Sequence, residues 1–250
     1  MNELRKIGAL WYREVLRFWR EKSRIISSLI LPLLWLLVFG SGMRGIQLPG
    51  VGNYQMFMFP GILGMTLLFT SVWSGISVIW DREFGFLKEI MVAPVSRSSI
   101  VIGKALGSGT SAFIQGFIML PLSYLVGVNL SPLAFLTLIP VMIIIAVGLV
   151  CVGLLIASLI NSMEGFNFIM SLVIMPMFFV SGALFPLTAA PEWLKILSYF
   201  NPLTYGVDVL RWAMLNGVTT LLPVYIEILI LFGFAAAMIA ACSYTFGIRK

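Results

Sequence analysis

The sequence predicts an all-α, polytopic membrane protein: a single transmembrane domain over residues 1–250 with six spanning helices. Three observations carry that prediction. Of 250 residues, 60% are hydrophobic and only 10% are charged, against about 25% charged in soluble domains. Six stretches reach the roughly 20 mostly apolar residues needed to cross a hydrocarbon core. Each runs continuously, whereas barrel strands would alternate in segments of about ten residues.

Residues 1–24, ahead of the first span, are basic and amphipathic. Leu4, Ile7, Trp11, Val15 and Phe18 recur at spacings of three and four, the period of one helix face. Arg13, Arg17, Arg20 and Arg24 form a second stripe. With Trp11 and Trp19, this segment suits a helix lying at the membrane surface, its cations toward anionic headgroups, so membrane lipids are an expected partner. Flanking charge that merely sets topology would leave the apolar periodicity unexplained.

The spans are read at 25–43, 56–80, 100–128, 132–160, 166–187 and 221–246. Five of them hold an internal proline (Pro32, Pro60, Pro121, Pro140 and Pro176). Each removes a backbone donor, so kinks are expected there. Lys and Arg set the orientation. Thirteen fall on one side: seven in residues 1–24, then Arg82, Lys88, Arg97, Lys104, Arg249 and Lys250. The other side has only Arg44, Lys195 and Arg211. Positive charge stays inside, so both termini are expected in the cytoplasm and the chain in the cell (cytoplasmic or inner) membrane. The basic region is too long for a cleaved signal peptide, and the first span is expected to persist in the mature protein.

Residues 81–97, DREFGFLKEIMVAPVSR, join the second and third spans. Asp81 can cap a short helix whose Phe84, Leu87, Ile90 and Met91 line one side, with Arg82, Glu83, Lys88 and Glu89 mostly elsewhere. Pro94 ends it, and Ser98 or Ser99 can cap the next span. Such an apolar ridge implies either the headgroup layer or a pocket in a soluble partner. An ordinary ordered loop fits the pattern as well. Gly103, Gly107 and Ser111 then fall four apart, as do Gly233, Ala237, Ala241 and Thr245. That spacing suits close helix packing inside the bundle or between protomers.

The outer segment, 188–216, remains strongly apolar. Pro191 suits a first helical turn, and Asn201-Pro202 reads as an N-cap followed by the first position of a second helix. Two short helices carrying Trp193, Tyr199, Tyr205 and Trp212 fit a re-entrant hairpin in the outer leaflet. Asp208 and Arg211 can pair locally or stand at an outer gate. Glu227 lies about 9 Å into the last span, where it faces the interior or snorkels to the headgroups. Phe178 and Phe179, after Pro176, line a translocation path or simply pack.

Composition excludes much chemistry. The chain has 16 basic and 10 acidic side chains, a net charge of +6 and no histidine. Imidazole acid–base catalysis, imidazole metal sites and Ser-His or Cys-His pairs are ruled out. Cys151 and Cys242 are far apart in apolar runs, which gives neither a disulfide framework nor zinc spacing. Gly103-Lys104 lacks the upstream glycine and following hydroxyl of a phosphate-binding loop. No enzyme activity, metal site or nucleic-acid partner is expected.

With these residues in place, the sequence resembles the permease subunits of type-2 ABC exporters. The daunorubicin-resistance group is nearest, and the nodulation-type lipooligosaccharide permeases are also similar. The resemblance rests on Arg82–Arg97 with Gly103-Lys104, then SGALFPL at 181–187, PEWL at 191–194 and NPLTYGVDVLR at 201–211. Phe86 stands where many relatives carry Thr. The resemblance implies that Glu83, Phe84, Leu87, Lys88, Ile90, Met91 and Pro94 form a cytoplasmic coupling helix docking on a separate ABC ATPase subunit. It also implies that residues 2–22 touch that subunit, that the outer hairpin closes the path, and that two copies work together as a homodimer. ATP and Mg would then belong to the partner, with no cofactor on this chain. The cargo would be hydrophobic or amphipathic: a drug, a lipid or a lipid-linked glycan. Phe178, Phe179, Asp208, Arg211 and Glu227 are the candidates for path or gate. The competing readings are a stand-alone channel or ion-coupled carrier, which normally needs ionisable groups at mid-membrane depth, and a membrane-embedded lipid enzyme.

Overall fold

The computed structural model describes residues 3–43, 45–48, 51–83, 96–160, 162–215, 217 and 221–248. The amphipathic segment forms α1 (Glu3–Arg20) and the first span α2 (Lys22–Gly42). A two-stranded antiparallel ribbon, Gln47–Leu48 with Gly52–Asn53, leads into α3 (Tyr54–Trp73) and α4 (Ile76–Glu83), which together make the second span. The third span is α5 (Arg97–Met119), tightening into a 3₁₀ turn over Leu120–Val126. The fourth is α6 (Pro132–Leu159) and the fifth α7 (Met163–Val180). Two short helices, α8 (Glu192–Tyr199) and α9 (Pro202–Met214), precede the last span, α10 (Val224–Ile248). Six helices among the described residues are long and apolar enough to cross a membrane.

The helix ends follow from short polar side chains. Ser96, Ser131 and Ser162 each accept a backbone N–H three residues on, from Ser99, Ala134 and Gly165, so each is the N-cap of a span. Asn201 caps α9 through Leu203 N–H. A capping oxygen satisfies one of the orphan donors of a first turn. The cap of the third span is therefore Ser96, not Ser98 or Ser99. Asp81 lies inside α4 with its carboxylate on Lys104 and Arg13; the helix it was expected to cap lies outside the described residues.

α3 is the axis of the bundle. Phe59, Ile62, Leu63, Leu67 and Leu68 are completely buried, and the helix packs against α2, α5, α6 and α9. The outer faces of α2, α7 and α10 remain apolar and exposed, as Leu37, Phe168, Leu172 and Leu229 show. Cys151 on α6 and Cys242 on α10 are free thiols, both fully buried.

Two boundaries differ from the sequence expectation. The fifth span ends at Val180, and 181–186 form a turn with Gly182 at φ 71°, a left-handed conformation that suits glycine. The break in the second span falls at Ser74-Gly75, whereas α3 continues through Pro60. α2, α6 and α7 likewise run unbroken through Pro32, Pro140 and Pro176. The break coincides with a crossing of two backbones. A Cβ on Gly75 would overlap the Gly153 carbonyl, and one on Gly153 would overlap the Val72 carbonyl. Small residues permit this approach. Gly153→Ala should cost about 1–3 kcal/mol through forced separation of α3 and α6. Thermal unfolding in detergent checks this, and an unchanged midpoint would contradict the crossing.

Candidate functional site

Charged side chains gather at two ends of the bundle. At the first, α1 lies along α5 rather than free. Gly103 and Gly107 make this possible: added Cβ atoms would stand 2.7 Å from Leu10 Cβ and 2.5 Å from Glu14 Cβ. The small-residue stripe of the third span thus packs against the amphipathic helix. Trp11 Nε1 donates to Thr110 Oγ1 at 3.0 Å. At the far end of α1, the Glu3 carboxylate accepts from Ser99 Oγ at 2.6 Å and from Lys6 Nζ at 2.6 Å. Those bonds, with Lys6 first, hold the Glu3 carboxyl down to about 2 and tie α1 to the capped start of α5.

The close approach buries a network of ions. Lys104 is 1% exposed. Its ammonium contacts the Asp81 carboxylate and lies 3.5 Å from Glu14. Asp81 also takes Arg13 at 3.0 Å and Arg17 at 3.8 Å. Arg17 reaches Glu21 at 3.3 Å and lies 5.0 Å over the Trp80 ring. Three cations, Arg13, Arg17 and Lys104, therefore meet three carboxylates, Glu14, Asp81 and Glu21. Desolvating such ions is costly, and only mutual pairing with good geometry offsets it. Nearby, the Arg82 guanidinium donates to Ile160 O at 2.9 Å and Ala157 O at 3.3 Å, capping the end of α6. The network binds α1, α4 and α5 into one block.

The described part of that block runs to Glu83, an exposed residue at the end of α4. Phe84, Leu87, Lys88, Ile90, Met91 and Pro94, expected to form a docking helix, lie outside the described residues. None of Glu14, Arg13, Arg17, Asp81 or Lys104 stood out from sequence as a site. One signal was available: Lys104 and Glu14 are lone ions on otherwise apolar or basic faces.

At the other end, α9 is almost wholly buried. Its start is fixed to α7 by Asn201 Nδ2, which donates to Met177 O at 2.6 Å. Arg211 donates to Gly182 O at 2.8 Å and to Asp208 at 3.4 Å, and lies 4.0 Å over the Phe57 ring. Asp208 accepts Leu221 N–H at 2.5 Å. Burial pulls the Arg211 guanidinium down to about 10, with Asp208 and Glu227 opposing that fall. Glu227 is fully buried and faces the interior: one oxygen accepts Leu222 N–H at 3.1 Å and the other has no hydrogen-bond partner among the described residues. The structure thus brings Asp208, Arg211 and Glu227 together, with one cation facing two carboxylates.

The aromatic candidates fall elsewhere. Phe178 is core, edge-on to Trp35 at 5.8 Å, while Phe179 is partly exposed beside the same ring. Among the described residues no three or more metal-ligating side chains gather. Among the described residues neither cluster sets a nucleophile beside a base; each ties several helices together.

Comparison with known proteins gives a consistent picture. The model of a family described as "ABC-2 type transporter" matches residues 5–215. "Putative transport permease ycf38" of Cyanophora paradoxa is 32% identical over 84% of this chain and 74% of its own length. "Nodulation protein J" of Rhizobium leguminosarum bv. viciae is 26% identical over 83% of this chain and 82% of its own length. "Inner membrane transport permease YadH" of Escherichia coli (strain K12) is 23% identical over 84% and 83% respectively.

Proposed function

The chain belongs to the ABC-2 type transporter family and is a membrane-spanning transporter component, and from that premise we propose that it is the permease subunit of an ATP-driven exporter. In this reading a separate ABC ATPase binds ATP and Mg, and two permease copies form the path. The cargo is a hydrophobic or amphipathic molecule (a drug, a lipid or a lipid-linked glycan), moved outward across the cytoplasmic membrane. Both termini face the cytoplasm.

The observation that carries the proposal is the buried Lys104–Asp81–Glu14 network. It fuses the amphipathic helix, the end of the second span and the start of the third into one block, immediately before residues 84–95. A docking helix at that position would pass motion of the ATPase to three elements at once. Nucleotide drives the motion only if it favours one arrangement over the other. At the outer end, α8 displays Trp193, Ile196 and Leu197 while α9 is buried. That asymmetry suits a hairpin dipping into the outer leaflet, its exposed limb against lipid.

The reading predicts that Phe84→Ala, Leu87→Ala or Glu83→Lys abolishes cargo-stimulated ATP hydrolysis in proteoliposomes, while the permease still elutes as a folded species. Normal stimulation in all three would remove the docking assignment. The Asp208–Arg211–Glu227 cluster favours a second reading, an ion-coupled carrier. Cargo uptake into vesicles that hold no ATPase would establish it.

A further inference from the structure

Two grooves on the bundle meet at one tryptophan. The first, about 360 Å³, runs between α2 and the second span, with Leu31, Phe69, Trp73 and Ile76 on its walls and Trp80 at its end. Its floor is polar: Ser27, Thr70 and the buried Gln115, whose amide donates to Ile25 O at 3.1 Å and accepts from Thr70 at 2.9 Å. The second, about 600 Å³, begins at the same Trp80 and opens between α1 and α4 past Tyr12, Arg13, Arg17 and Arg20. Together they form an apolar channel with a hydroxyl- and amide-lined step and a basic mouth.

The charge at that mouth is unbalanced. Arg13 and Arg17 are matched by Asp81 and Glu21, which also line the second groove or its edge. Arg20 is exposed at the last turn of α1, and Lys22, also exposed, opens α2. Neither has an ion pair or hydrogen bond among the described residues. An uncompensated cation on the groove wall with an indole, Arg20 with Trp80, and a second exposed cation two residues on, Lys22, above a greasy slot match one chemistry: an anionic phosphodiester head carrying acyl chains. Basic side chains at such a surface favour anionic lipid by about fivefold each, and tryptophan suits the boundary between head and tail.

We propose that this compound groove is a resident binding site for an anionic phospholipid of the adjoining leaflet. Its headgroup lies between Arg20, Lys22 and Arg17, its ester region over Thr70 and Gln115, and one acyl chain along Leu31, Phe69 and Trp73. On the reading that this end faces the cytoplasm, the lipid comes from the inner leaflet. The bound lipid wedges α2 against the α1–α4–α5 block, so it supports the block without being cargo.

The test uses the full chain in phosphatidylcholine vesicles doped with phosphatidylglycerol or phosphatidylcholine brominated on the acyl chains, with no ATPase present. Tryptophan quenching is read for wild type and for Trp73→Phe/Trp80→Phe; their difference isolates the groove. Brominated phosphatidylglycerol should quench the groove tryptophans at a concentration about fivefold or more below that for brominated phosphatidylcholine. Arg20→Gln/Lys22→Gln, at two exposed positions, should bring the two lipids level. Equal quenching by both lipids in wild type, or a preference that survives the double variant, overturns the site. Quenching by neither means that a second copy or another protein covers the groove, and this also overturns it. None of these outcomes depends on ATP-driven transport, so the lipid site and the exporter reading fail separately.

Discussion

Lys104→Met should destabilise the protein by about 3–5 kcal/mol, the range for removing one partner of a buried ion pair. The substitution keeps most of the side-chain volume, so the loss is electrostatic. Asp81 would keep Arg13 and Arg17, but Glu14, pressed against Gly107 and 6% exposed, would lose its buried cation. The first consequence should be release of α1 from α5, read as earlier protease cleavage within residues 3–20 and a lowered melting midpoint. Neutralising the stranded acid as well, in Lys104→Met/Glu14→Gln, should recover a good part of that stability, whereas adding Asp81→Asn should not, because it takes the carboxylate from Arg13 and Arg17. If the exporter reading holds, the single variant also loses ATPase coupling even where it folds. A Lys104→Met protein that melts like wild type, with α1 equally protected, would show that the network holds nothing together.

The second large effect is expected at Arg211. Arg211→Met would leave Asp208 and Glu227 buried without a cation and free the Gly182 carbonyl, again costing about 3–5 kcal/mol. Arg211→Lys should not restore the loss, because the guanidinium serves Gly182 O and Asp208 through different nitrogens at once. Glu227→Gln should move the other way, between neutral and stabilising. It removes the excess acid, and its amide gains a donor where one carboxylate oxygen has no partner among the described residues. Melting of the three variants in one detergent separates these expectations. A destabilised Glu227→Gln beside an unaffected Arg211→Met would refute the charge count.

The spans were legible because hydropathy is a local property: the apolar runs predicted six crossings and six helices stand there. The Asn201-Pro202 start of α9 was legible for the same reason, since a cap and its donor are two residues apart. Contacts made across the chain were not. Lys104 read as one more topological charge and Asp81 as a cap, since their partners lie 23 and 90 residues away from Lys104. The stripe Gly103/Gly107 correctly signalled close packing, yet spacing alone does not say which helix arrives, and it proved to be α1. Proline marked positions for kinks, and at Pro121 the third span does pass from α-helix into its 3₁₀ turn, but the break in the second span follows from backbone proximity at Gly153, which no local pattern records. For Asp208 and Arg211, spacing supplied the pair; Glu227 joins it only through the fold.

The placement of the two cysteines has a practical consequence. Both sulfur atoms lie inside the packed bundle, so water-soluble maleimides and spin labels have no native target on the folded chain. A reporter cysteine placed at an exposed position, such as Ala9 or Glu192, gives a single-site signal without a thiol-free background being built first. Distances between such reporters can then follow the two ends of the molecule through a transport cycle.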